Sequence, residues 1–217
     1  MKKSAVLLMT LIISAAAIAQ QANLKTFYVN DEMKKDIVTF TSKAPLETIV
    51  GRTSEVVGFV TVDPTDIKGS AKGRFEVDLA TLKTGISLRD QHMREKYLEV
   101  DKYPKAIFDL TGVAEAGSNA LEDKKNIDLT LTGNFTIHGV TKSISIPATI
   151  TYLKESEETK QRLPGDLMHI VVQFNVLLGD YSIKRPQFVI LKLDENQRVD
   201  IDLFASTGVP PVDFVPK

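Results

Sequence analysis

From Asp128 to His138 the chain reads DLTLTGNFTIH, and its side chains alternate without a break. Leu129, Leu131, Gly133, Phe135 and Ile137 fall on one side, and Asp128, Thr130, Thr132, Asn134 and Thr136 on the other. A period of two is the period of a β-strand; on a helix it would scatter the apolar residues around the axis. The alternation resumes after His138-Gly139, with Ile144, Ile146, Ala148, Ile150 and Tyr152 opposite Ser143, Ser145, Thr149 and Thr151. These two segments predict a long antiparallel hairpin, with Gly139 supplying the positive φ its turn needs.

The same in-out pattern recurs at Phe75, Val77 and Leu79, at Ile170, Val172, Phe174 and Val176, and at Val199, Ile201 and Leu203. Less regular strands are expected near 24–30, 36–42, 55–62 and 105–115, which makes eight or nine antiparallel strands. The polar inserts DPTDIKGSAKG, AGSNALEDKKN and KESEETKQRLPGD read as solvated loops, and the Pro-rich tail TGVPPVDFVPK as extended chain with Phe214 as a clip. Helical residues are too few to cover a flat sheet, so the greasy face must close on itself, as a barrel or as a two-sheet sandwich. A barrel of about eight strands is just wide enough to be filled by side chains or to hold one slender ligand.

The start of the chain, MKK followed by SAVLLMTLIISAAAIA, has the basic head, short apolar run and small-residue end of a secretory signal peptide over residues 1–19. A single domain over 20–217 is then expected in the periplasm or outside the cell, with no integral membrane segment left after cleavage. The chain contains no cysteine, which excludes disulfides, thiolate metal sites and a lipid-modified cysteine at the cleavage point. Loss of Lys2 and Lys3 leaves 25 basic against 28 acidic residues, a balance with no general attraction for nucleic acid.

Between Leu82 and Phe108 the alternation stops at LKTGISLRDQHMREKYLEVDKYPKAIF. Ser87-Leu88-Arg89-Asp90 has the spacing of a helix N-terminal box, with the serine oxygen as the cap, and a helix over about 88–98 follows. So short a helix must rest its Met93, Tyr97 and Leu98 on the body of the protein, naturally at an open end of the barrel. Arg89, His92 and Lys96 form a basic stripe at i, i+3 and i+7, which either meets a polar or anionic head group or is a solvated face paired with Asp90 and Glu95.

This segment resembles the first signature of the YceI-like family: a Thr-Gly pair, an Arg-Asp-x-His-hydrophobic helix, then Tyr-Pro-x-x-x-Phe. LTGNFTIHGVTKSISIPATI is similar to the family's second signature, the G-x-(L/F)-T-I-x-G-V-T-K hairpin. The resemblance implies an all-β fold, an antiparallel eight-stranded lipocalin-like barrel with one short helix near an open end. It also implies an apolar channel for polyisoprenoid or other long-chain amphiphiles. Where the family often carries Arg-x-x-(F/W)-G-(I/M), this chain has GDYSIKRPQFVI, which puts Phe188 in the channel wall and Tyr181 and Arg185 beside the head group at a differently shaped end.

The candidate channel residues are Phe59, Phe75, Met93, Tyr97, Leu98, Phe108, Phe135, Ile137, Phe174, Val176 and Phe188, and the candidate head-group residues Arg89, His92, Tyr181 and Arg185. His92, His138 and His169 sit far apart with no second ligand at metal spacing, there is no G-x-S-x-G elbow, and Asp90 and His92 do not face each other on a helix. The expectation is a non-catalytic carrier with no cofactor and no metal, whose partner is an isoprenoid, quinone-like or fatty amphiphile; a monomer and a homodimer both remain open. The alternative is an interaction module with a solid core.

Overall fold

The computed structural model describes residues 23–185 and 193–211. Ten strands follow one another: β1 (Lys25–Val29), β2 (Ile37–Lys43), β3 (Thr48–Thr53), β4 (Val56–Val62), β5 (Lys72–Asp78), β6 (Lys105–Ala116), β7 (Asn126–Ile137), β8 (Val140–Leu153), β9 (Leu167–Leu177) and β10 (Asn196–Ser206). Eight of them close an antiparallel barrel in the order β1-β4-β5-β6-β7-β8-β9-β10, and Tyr28 opposite Ser206 returns the ring to its start. Closure removes the free sheet edges that an open antiparallel sheet would leave.

The β7–β8 hairpin is the one the alternation predicts, in register from Asn126↔Thr151 to Ile137↔Val140. Its two-residue turn has positive φ at both His138 (53°) and Gly139 (74°). That is the geometry of the turn type whose twist suits a hairpin.

β2 and β3 were read less completely. The first was expected and the second was not, and neither belongs to the closed ring. β10 pairs with β1 only at its own lower end, Ser206; higher up, β10 pairs instead with β2, from Asp202↔Ile37 to Arg198↔Thr41, and β3 pairs with β2 outside it. The chain passes from β1 to β2 through residues 30–36. There Arg162 bridges Asp31 (2.9 Å) and Asp36 (2.7 Å), and Asp36 also accepts from the Phe204 N–H at 3.0 Å. Above this seam β2, with β3 beyond it, takes the place of β1 beside β10.

The lower end is shut. A one-turn helix, α1 (Ile67–Ser70), capped by the Asp66 carboxylate, places Ile67 under the barrel at 2% exposure. Asn119 ties the neighbouring loop to it by accepting from the Ile67 and Lys68 N–H groups. Beside it, Asp166 accepts from Lys25 (2.6 Å) and from the Tyr152 hydroxyl (2.8 Å). The insert DPTDIKGSAKG is therefore a structured plug rather than a free loop.

Candidate functional site

The inward faces enclose two apolar chambers. The lower, of about 110 Å³, is lined by residues such as Val60, Ile67, Phe75, Phe108, Ile150 and Met168. The upper, of about 470 Å³, lies between the top of the barrel, the β2–β3 hairpin and the helical segment. Val77, Ala106, Phe135, Phe174 and Ile201 line both, so the chambers meet at a waist. Phe135 and Phe174 stand edge to face there, centroids 5.5 Å apart. A volume of this size falls within the range of small-molecule sites, about 300–1,000 Å³.

Two glycines let the aromatic rings in. Gly58 is opposite Phe75, where a Cβ would lie 2.5 Å from the Phe75 ring, and Gly133 gives Phe108 the same room at 2.6 Å. The glycines thus give these two inward-facing rings the room they occupy in the lower chamber.

The helical segment covers the upper chamber. It runs as α2 (Ser87–His92) and continues as one π-helical turn, Met93–Tyr97. The expected serine cap is not made. Instead Asp90, 6% exposed, reaches back to the Thr84 N–H (2.7 Å) and hydroxyl (2.5 Å). Burial alone would push this carboxyl up, yet those bonds and the nearby Arg94 outweigh it and hold the group below the usual carboxylate range. A charged acceptor at that point pins the Thr84-Gly85 bend from which the helix departs. At the other end Tyr97 and Leu98 pack against Phe135, Val176, Tyr181 and Ile183. His138 holds the exit, with Nδ1 on the Tyr181 peptide oxygen (3.2 Å) and Nε2 on Glu99 (2.7 Å).

Most of the candidates read from the sequence meet in these chambers. Met93, Tyr97, Leu98, Phe135, Ile137, Phe174, Val176, Arg89 and His92 line the upper one, and Phe75, Phe108, Phe135 and Phe174 the lower. Phe59 does not line either. It lies on the opposite face of β4 from Val56, Val60 and Val62, with its ring 6.5 Å from Tyr28. Tyr181 is buried behind Phe135, ring to ring at 5.4 Å, and neither it nor Arg185 lines a chamber. Phe188 and Phe214 lie outside the described residues.

The basic stripe divides. Arg89 and His92 face the chamber while Lys96 is exposed and does not line it. Arg89 pairs with neither Asp90 nor Glu95: it donates to the Thr84 hydroxyl (2.8 Å) and to Glu47 on the β2–β3 turn (3.2 Å). This ion pair spans the mouth from cover to hairpin. Sequence reasoning expected β2 as a strand but not as a wall of the chamber, and missed β3: Phe40, Ser42, Glu47 and Ile49 line the chamber without having been singled out, although Val38, Phe40 and Ser42 already carry the period-two pattern.

A model of the YceI-like domain matches residues 28–205. A UPF0312 protein of Shewanella sp. strain ANA-3 is 32% identical over 144 residues, covering 65% of this chain and 71% of that protein. Another, from Pseudomonas savastanoi pv. phaseolicola, is 33% identical over 135 residues, covering 62% of this chain and 60% of its own. Among solved structures, that of Burkholderia cenocepacia BcnA superposes with a TM-score of 0.64 at 16% identity, over 82% of this chain and all of that one. A polyisoprenoid-binding domain from Saccharophagus degradans does so at 0.60 and 16% identity, over 84% and 98%. At such identities the likeness is one of fold.

Proposed function

Because the chain belongs to the YceI-like family, we propose that it binds and carries a long-chain amphiphile, an isoprenoid, quinone-like or fatty molecule, without chemically altering it. The observation that carries this reading is the hollow itself: a 470 Å³ chamber, almost wholly apolar, joined through a waist to a second one and covered by a short helix. A solid interior, the premise of the alternative reading, is not what the barrel contains. A tail entering under α2 would pass the Phe135–Phe174 waist and end above Ile67. Each methylene moved from water into such a channel contributes ~0.8 kcal/mol, so about ten supply ~8 kcal/mol before the costs of association.

The polyisoprenoid named for the Saccharophagus domain is the first ligand class to try. On the reading of residues 1–19 as a signal peptide, the carrier works in the periplasm or outside the cell. Native mass spectrometry after mild purification is expected to show a bound organic mass. Ala106→Leu, which narrows the waist, is expected to abolish retention of long chains while leaving short ones. A protein that purifies empty and takes up no hydrophobic probe ends the carrier reading.

A further inference from the structure

The wall of the upper chamber is mostly apolar, and away from the polar groups of the cover and the mouth it carries a buried polar pair on β2 and β10. Ser42, on the inward side of β2 with Val38 and Phe40, is 1% exposed and lines the chamber, yet its hydroxyl has no hydrogen-bond partner among the described residues. Continuing the β2–β10 register one step beyond Arg198↔Thr41 brings Gln197 opposite it. Gln197 is also buried, at 8% exposure, and also lines the chamber. Its Nε2 donates to the Asp194 carbonyl at 2.6 Å. Only the amide nitrogen can donate to a carbonyl, so that bond orients the side chain and leaves Oε1 for another partner. A buried hydroxyl without a partner is costly, and such groups in native proteins call for an explanation.

Resting on the carrier reading, we propose that Ser42 and Gln197 form a polar subsite that holds the neutral head of the bound amphiphile, a hydroxyl, carbonyl or amide group, with the Ser42 O–H as donor and the Gln197 Oε1 as acceptor. Neutrality follows from the surroundings. Ser42 and Gln197 carry no charge; of the chargeable side chains that line this chamber among the described residues, Glu47 and Arg89 are engaged with each other at the mouth and His92 belongs to the helical cover rather than to the Ser42 wall. An ionised head brought to the Ser42 wall would be stripped of water with no opposite charge to meet it. The head group is thus placed on the hairpin wall, across the chamber from the helix stripe that the sequence suggested for an anionic one.

Competition binding on the delipidated protein tests this with three chains of equal length: 1-hexadecanol, hexadecanamide and 1-hexadecene, each displacing a fluorescent apolar probe. Ser42→Ala is expected to weaken the alcohol and the amide about 3- to 10-fold and to leave the alkene unchanged. The same variant is expected to raise the melting temperature of the empty protein, because it deletes an unpaired buried hydroxyl. Gln197→Met, similar in size but unable to accept, should weaken the alcohol and spare the alkene. Equal losses for all three chains would reduce the pair to packing and overturn the proposal. Unchanged affinity for the alcohol in both variants would overturn it too, since a water would then satisfy Ser42. If no chain displaces the probe from the wild-type protein, the carrier reading itself fails and takes this subsite with it.

Discussion

At the scale of single residues, Asp36 is a carboxyl whose burial outweighs its hydrogen-bonding and ionic partners. Its side chain is 1% exposed at the seam between β1 and β2, and burial pushes its carboxyl up to about 6, against the pull of the Phe204 N–H and Arg162. A carboxyl raised in the folded state stabilises the fold in its protonated form. The contribution is full below the ordinary value near 3.8 and lost as pH rises through about 6. Two pKa steps correspond to about 3 kcal/mol, an order-of-magnitude figure. The other resolved aspartate and glutamate shifts, at Asp31, Asp90 and Asp166 among them, run the opposite way and act below the ordinary carboxylate range. Asp36→Asn, which keeps an acceptor for Phe204 but cannot ionise, is therefore expected to flatten the fall in melting temperature between pH 4 and 7. Parallel profiles for variant and wild type would refute this origin. Phe59 shows a different residue-level lesson. In VVGFVTV nearly every residue is apolar, so period two cannot choose a face; the choice is made by Gly58, the residue that fits opposite Phe75, and it sends Phe59 outward.

At the scale of elements, the mouth is governed by the contact between the helical cover and the β2–β3 hairpin. Glu47 and Arg89 meet there at side-chain exposures of 45% and 26%, so the pair contributes modestly, within about 0–1 kcal/mol, and is sensitive to salt. Glu47→Lys sets two cations against each other at the rim. Release of a bound fluorescent probe is expected to accelerate about 2- to 5-fold at low ionic strength, with the difference vanishing near 1 M salt. Salt-independent acceleration would assign the effect to packing of the turn instead. The long strands and the cover were legible because each repeats its pattern over many residues: β7 and β8 alternate for a dozen, and the helix breaks that alternation with a cluster of charges. The outer strand of the hairpin wall was not. β3 is six residues long, contains Gly51, and follows the Pro45 turn, so its local signal is weak. It is held by β2, its hairpin neighbour, on one side and by the sequence-distant Arg52↔Lys83 bridge on the other. The helix cap failed for a related reason. Ser-x-x-Asp has the right spacing, but Thr84, upstream of the box, offers Asp90 two donors at once.

At the scale of the whole molecule, the barrel has one tight end and one loose one, and the difference follows from where β10 finds its partner. Below the seam β10 meets β1, the ring is closed, and the floor is sealed by Ile67 and the Lys25–Tyr152–Asp166 cluster. Above it β10 meets β2, which leads away from the ring, and the gap is spanned by a helix too short to be stable without its packing on Tyr181, Ile183 and Val176. A cavity deprives its lining of packing partners, so the empty protein is weakest where the hollow is widest. A tail that fills both chambers binds only the folded state, and at a hundredfold excess over its Kd adds about 2.7 kcal/mol. For a domain of this size that corresponds to a rise in melting temperature of about 5–10 °C. Hydrogen exchange is expected to distribute the gain unevenly. Amides of residues 87–98 and of β2–β3 should slow most on binding, whereas those of the β8–β9 pairing near the floor, already protected, should change least. Uniform slowing along the chain would mean that the ligand reports on global stability alone, and the division into a rigid floor and a ligand-ordered mouth would have to be given up.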